Sequence, residues 1–239
     1  MYLISVYFDD KSNKIISNYI NKIAQKTGNT FMTDNHVPPH LTIMSVEARE
    51  EKKLTEVMEQ LERSLTKGQI QLVSVGVLLP YVLYAAPVLN LYLEDMIEQV
   101  HDMVKDMVKH IPEVRMSRYY QPMQWLPHIT LGKKLSKEQM QEAFSVMQEL
   151  FVPMEVTVAE IGLAKTNPHQ DLIRVELNDG SIKKKNMESR NVMKKYIGIL
   201  AKITGFILIV ILAVNIILPL IKRNPYDQKC EKKYCVIHI

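Results

Sequence analysis

Apolar positions along the chain follow two periods in alternation. The opening MYLISVYF is an apolar, β-branched and aromatic run that predicts a strand. Residues 12–27 place Ile15, Ile16, Tyr19, Ile20 and Ile23 three and four apart, predicting an amphipathic helix capped by Ser12 and stopped by Gly28. After a loop with Pro38 and Pro39, HLTIMSV predicts a strand. Residues 48–66 predict a charged amphipathic helix with Leu54, Val57, Met58, Leu61 and Leu65 inward. QIQLVSVGVLL and YVLYAAP predict two strands meeting near Pro80.

A second cycle follows. Residues 89–110 predict a long helix with Leu93, Ile97, Val100, Val104, Met107 and Val108 inward, and residues 111–124 a loop with Pro112 and Pro122. WLPHITLG predicts a strand and SKEQMQEAFSVMQEL a helix. EVTVAEIGLAKT and DLIRVEL predict strands paired across a turn at Asn167-Pro168. Helix and strand thus alternate twice over, with a Pro-His strand in each half. The expected class is α+β, with two related lobes.

Residues 203–221, ITGFILIVILAVNIILPLI, break the pattern: they carry no charge and no amphipathic period. As a helix they would span roughly 28 Å, enough for a hydrocarbon core. Basic residues flank them, more heavily upstream (Lys183, Lys184, Lys185, Arg190, Lys194, Lys195, Lys202). The expectation is a domain over residues 1–178, a basic linker over 179–202, a transmembrane helix over 203–221 and a short tail over 222–239. The chain would be a single-pass membrane protein with its domain in the cytoplasm.

Charge follows the same division. Residues 1–178 carry 18 Lys+Arg against 22 Asp+Glu; residues 179–239 carry 12 against 4. A mildly acidic domain argues against a broad nucleic-acid-binding face, so any nucleic acid would be held in a local cleft. Two Cys, both in the last ten residues, exclude a disulfide scaffold and a multi-Cys zinc or iron–sulfur site. No phosphate-loop, dinucleotide, zincin or nucleophile-elbow motif is present.

Two segments match each other: Pro39-His40-Leu41-Thr42-Ile43 and Pro127-His128-Ile129-Thr130-Leu131. Successive strand side chains point to opposite faces. His40 therefore shares a face with Thr42, and His128 with Thr130, while the aliphatic residues enter the core. Two imidazoles and two hydroxyls on one cleft suit phosphoryl transfer without a metal. A neutral imidazole takes a proton from the attacking oxygen, a protonated one gives a proton to the leaving oxygen, and hydroxyls donate to the non-bridging oxygens.

These paired strands resemble the signature of the 2H phosphoesterase superfamily, which includes 2′-5′ RNA ligase and 2′,3′-cyclic phosphodiesterase branches. The resemblance covers about residues 1–178. It implies catalytic histidines at His40 and His128 and phosphate-binding hydroxyls at Thr42 and Thr130. It implies a two-lobed α+β fold with a central cleft, and hydrolysis of 2′,3′-cyclic phosphates of nucleotides or RNA ends. Ligation through a 2′-5′ linkage, by reversal, is the first alternative; a non-catalytic nucleotide-binding module is the second. No cofactor, no metal and no obligate protein partner are expected; the partners are the phosphoester substrate and, through residues 203–221, a membrane.

The loop before the second motif adds Arg118, Tyr120 and Trp125 as candidate substrate contacts, since aromatics beside a basic side chain stack a base and steady a phosphate. Trp125 fits a core-packing role equally. Lys133 and Lys134 either line the cleft mouth or are solvated. Of Tyr7 and Phe8, one faces the cleft and the other the core. His36 and His40 are four apart, but Pro38-Pro39 prevents a helix that would pair them on a metal. His169 reads as a turn residue.

Overall fold

The computed structural model describes residues 1–49, 51–109, 114–166 and 169–179. Its strands are β1 (Tyr2–Phe8), β2 (Leu41–Glu47), β3 (Gly68–Leu78), β4 (Val82–Pro87), β5 (Arg115–Met116), β6 (Ile129–Gly132), β7 (Met154–Lys165) and β8 (Gln170–Glu176). Its helices are α1 (Asp10–Thr27), α2 (Phe31–Asp34), α3 (Glu51–Ser64), α4 (Leu91–Lys109) and α5 (Lys137–Leu150). Three elements were not expected: α2, in the loop before the first motif, and β5 and a 3₁₀ turn over Arg118–Tyr120, in the loop before the second. All are too short to carry a hydrophobic period.

The strand pairing is antiparallel and nearly closes on itself. In order it runs β1-β2-β6-β4-β3-β7-β8, and β7 also pairs with β1. The twelve residues of β7 make this possible. Its first part pairs with β3 (Gly68↔Val158 to Leu72↔Met154), and the remainder lies between β1 and β8. On the opposite side β2 and β6 meet at one register pair, Leu41↔Ile129. Two lobes result, joined by a long shared strand and a single cross-strand pair. One holds β1, β2, β5, β8 and the end of β7, with α3 and α4 against it; the other holds β3, β4, β6 and the start of β7, with α1 and α5.

The lobes are not the two halves of the chain. Helix α1 follows β1 but packs on β6 and α5, and β3 and β4 precede α4 but pair in the lobe of β6. Each lobe nevertheless receives one Pro-His strand. The interior is one apolar cluster containing Ile4, Val6, Ile16, Ile23, Leu41, Ile43, Leu61, Leu83, Val100, Ile129, Leu131 and Leu163. Strand β2 is buried from Leu41 to Val46, on both faces, as befits a central strand.

Helix α1 begins earlier than the spacing predicts. Its cap is Asp9, whose carboxylate accepts from the Ser12 N–H at 2.9 Å. Ser12 lies inside the first turn and its Oγ accepts from the Thr157 N–H at 3.0 Å. Gly28 ends the helix with φ 69°, in the left-handed region where glycine carries no Cβ penalty. Helix α5 opens with a capping box between Ser136 and Gln139.

The single-pass membrane localisation is corrected. Among the described residues no helix is long and apolar enough to cross a membrane. The longest, α4, has 19 residues. It buries one face through Leu93, Met96, Ile97, Val100 and Val104 and carries Glu94, Asp95, Glu98, Asp102, Lys105, Asp106 and Lys109 elsewhere, a pattern that hydrocarbon would not accept. The expected linker beyond Asp179, the helix over 203–221, the tail and the Asn167-Pro168 turn lie outside the described residues.

Candidate active site

The site forms where β2 and β6 meet. Antiparallel pairing at Leu41↔Ile129 sets His40 across from Thr130 and Thr42 across from His128. The four motif residues are thus neighbours, each histidine one residue before its strand and opposite the other motif's threonine if the register is continued. Leu41, Ile43, Ile129 and Leu131 are fully buried beneath them. The alternation expected from the pentapeptides holds at these positions.

Both histidines are anchored alike. His40 Nδ1 lies 2.8 Å from the Pro38 carbonyl and His128 Nδ1 lies 2.9 Å from the Leu126 carbonyl. A carbonyl only accepts, so each Nδ1 carries a proton, and in the neutral ring Nε2 holds the lone pair. The intervening residue is Pro39 or Pro127. Proline fixes φ and offers no N–H of its own, which directs the preceding carbonyl back to the ring.

The surroundings of the two rings differ. His40 is held among other rings: Tyr7 at 6.3 Å between centroids and His169 stacked at 6.1 Å and 26°. Burial in this crowded cleft pushes its pKa from 6.5 down to about 4, against the pull of the Pro38 carbonyl, and His169, His128 and Lys133 depress it further. His128 stands edge-on to Tyr84 at 5.6 Å.

A cavity of about 320 Å³ opens at this point. His40 and Thr130 line it together with Phe31, Asn35, Lys133, Lys134 and His169. The two lysines bracket Phe31, with Nζ at 5.8 and 4.7 Å from its ring centre, so the mouth is cationic and aromatic. Thr42 is only 7 % exposed; its hydroxyl accepts from Ser5 Oγ at 3.3 Å.

The loop residues separate. Trp125 is 8 % exposed and its indole N–H donates to the Thr42 carbonyl at 3.0 Å; it packs and braces β2. Arg118 lies on an exposed turn, stacked over Tyr119 at 5.0 Å, and Tyr120 is half-buried against the core. None of the three is among the residues lining the cavity.

A polar cluster escaped the sequence reading. Tyr7 faces the site while Phe8 enters the core. The Tyr7 hydroxyl donates to Asp171 Oδ1 at 3.2 Å, Arg174 Nη2 donates to Oδ2 at 2.7 Å, and His169 Nε2 lies 3.1 Å from Oδ1. The Arg174 guanidinium covers the Tyr7 ring at 3.7 Å. Burial and the Asp171 carboxylate hold the Tyr7 phenol well above its ordinary pKa. The only sequence signal is alternation, since Tyr7 lies on β1, the strand that pairs with β2 just after His40. Among the described residues no three His, Cys, Asp or Glu side chains converge as a metal site.

An α+β fold with two His-x-Thr strands side by side at a cationic cleft defines a class of phosphoester-processing proteins. The sequence matches the family model of the 2′-5′ RNA ligase superfamily over residues 16–170, and the chain belongs to that family. Among solved structures it is similar to TT0787 of Thermus thermophilus (16 % identity, TM-score 0.51) and to a protein described as a phosphoesterase (16 %, 0.50). Each match covers 74 % of this chain and 98 % of the other. LigT of E. coli, in a structure complexed with 3′-AMP, matches at 15 % identity and TM-score 0.47, over 74 % and 98 %. No curated protein matches the sequence.

Proposed function

We propose that this protein is a metal-independent phosphoesterase that opens 2′,3′-cyclic phosphates of nucleotides or RNA ends with two histidines. The observation that carries the reading is the Leu41↔Ile129 pair, which sets the two Pro-His-aliphatic-Thr segments side by side with their imidazoles anchored alike, His40 and Thr130 lining the cavity.

The surroundings support one division of roles. Burial lowers the His40 pKa to about 4, so the ring is neutral at neutral pH with its lone pair at Nε2, the form a base requires, which favours His40 as the group that takes a proton from water. His128 gives a proton to the departing ribose oxygen. Thr130, beside His40 in the cavity, donates to a non-bridging oxygen as charge gathers there. Lys133 and Lys134 favour an anion at the mouth. A volume of about 320 Å³ is at the small end of ligand pockets and suits one nucleotide or one RNA end rather than a duplex.

The test uses the whole chain with 2′,3′-cyclic AMP and a short RNA ending in a cyclic phosphate, with and without EDTA. Turnover is expected to resist EDTA and to fall by about 10² to 10⁴ in His40→Ala and in His128→Ala. Wild type and both variants behaving alike on both substrates would remove the assignment.

A further inference from the structure

We propose that His169 is a third substrate-contacting histidine of the cleft, which Asp171 holds through Nε2 and which presents Nδ1 to a non-bridging phosphate oxygen on the His40 side.

Four observations meet here. First, His169 lines the same cavity as His40, Thr130, Lys133 and Lys134, and its ring stacks on His40 at 6.1 Å. Second, its side chain is 12 % exposed, so the ring is largely enclosed and its opening is toward that cavity.

Third, the hydrogen bonding assigns the two nitrogens. A carboxylate only accepts, so the Nε2 bonded to Asp171 carries a proton. Nδ1 is then the nitrogen available to a ligand, and with a proton on each nitrogen, the form an adjacent anion favours, it donates. A turn residue bonded only to the carboxylate two positions on would need neither the cavity nor the stack.

Fourth, the support is assembled from distant segments. Tyr7 of β1 and Arg174 of β8 both donate to Asp171, and Arg174 also covers Tyr7. A bare carboxylate in a phosphate cleft would repel the ligand. Here Arg174 offsets the Asp171 charge, and Asp171 is not among the lining residues. What the cavity receives is the imidazole. The charged and titratable groups around it are Asp171 beneath His169, with His40, His128, Lys133 and Tyr7 around the His40 ring.

The inference draws on the phosphoester reading for the nature of the anion, and two substitutions test it. His169→Gln sets an amide nitrogen near the place of Nε2 and keeps the Asp171 bond; His169→Asn sets one near the place of Nδ1 and loses it. Binding of adenosine 2′-monophosphate and inorganic phosphate to the whole chain would be measured by calorimetry, with KM and kcat on 2′,3′-cyclic AMP. Affinity for both ligands is expected to fall ten- to a hundredfold in His169→Ala and His169→Gln, as for loss of a charge-assisted hydrogen bond, and to recover in part in His169→Asn. A merely structural role predicts the reverse order, with Gln restoring and Asn not. That order, or unchanged binding in all three variants, overturns the proposal. Monophosphate binding that depends on His169, without turnover of cyclic phosphate, would sink the cyclic-phosphate reading and leave this inference standing. Turnover that no His169 variant alters, in KM or kcat, would do the opposite.

Discussion

His40 and His128 have matching neighbours in sequence, proline before and an aliphatic residue after, and different ones in space. Each has proline before it and a carbonyl two residues back that takes its Nδ1 proton. Only His40 sits among Tyr7, His169 and Lys133, and burial there lowers its pKa to about 4. The neutral ring is the active form of a base. The acid limb of kcat/KM is therefore expected near pH 4 rather than near 6.5, and a pH-rate profile reads it directly. The same depression links stability to pH. Between about 4 and 6.5 the unfolded chain binds the proton that the folded His40 refuses, so stability rises with pH across that window and is lost as pH falls through it. His40→Phe, whose ring takes up no proton, should flatten that part of a urea-denaturation series. Trp125 shows a different residue-scale dependence. Its indole N–H holds the Thr42 carbonyl, so Trp125→Phe should lower unfolding free energy by about 1–3 kcal/mol, the usual cost of a buried acceptor left unpaired.

At the scale of elements, periodicity reported the long segments well and the short ones not at all. Helices α1, α3, α4 and α5 each place a stripe of aliphatic residues inward. Strands β3, β4, β6 and β7 lie close to where their apolar runs fall. The N-terminal boundary of α1 differs from the one the spacing predicts because Asp9 and Ser12 are both good cap residues, and only the backbone shows which of them lies outside the first turn. At α5 the Ser136–Gln139 box is local and fully legible; Ser136→Ala should cost about 1 kcal/mol in thermal or urea unfolding. Gly162 acts over a longer range. A Cβ there would lie 2.8 Å from the Tyr7 ring, 2.9 Å from the Ile173 carbonyl and 3.0 Å from the Arg174 stem. Gly162→Ala should therefore displace the Tyr7–Arg174 stack, with loss of stability and a raised KM, whereas Gly28→Ala, with nothing within 4 Å, should act through backbone strain alone and leave KM unchanged.

For the whole molecule, the decisive contact is the joint between lobes. Strand β7 ties them at one side over its full length, but Leu41↔Ile129 is the one β2–β6 register pair. Leu41→Ala should cost about 2–5 kcal/mol, as for any fully buried leucine. Leu72→Ala, equally buried on β3, should cost a similar amount. Their activities should part: at temperatures where both remain folded, Leu41→Ala should lose the greater share of kcat, because the cavity it leaves lies under both histidines. Residue pattern by itself determined the α+β class, the positions of the long elements and the two matched Pro-His-aliphatic-Thr-aliphatic strands, because alternation and helical spacing are local properties of a chain. Which strands lie side by side, and hence that His40 faces Thr130, is a matter of register between residues 88 positions apart in the chain, set by how both lobes bury their apolar faces. The assembly of Tyr7, His169, Asp171 and Arg174 against His40 likewise joins β1 to the start of β8. No local signal marks it, since the energy that brings those side chains together comes from closing the core around β7 and not from the residues themselves.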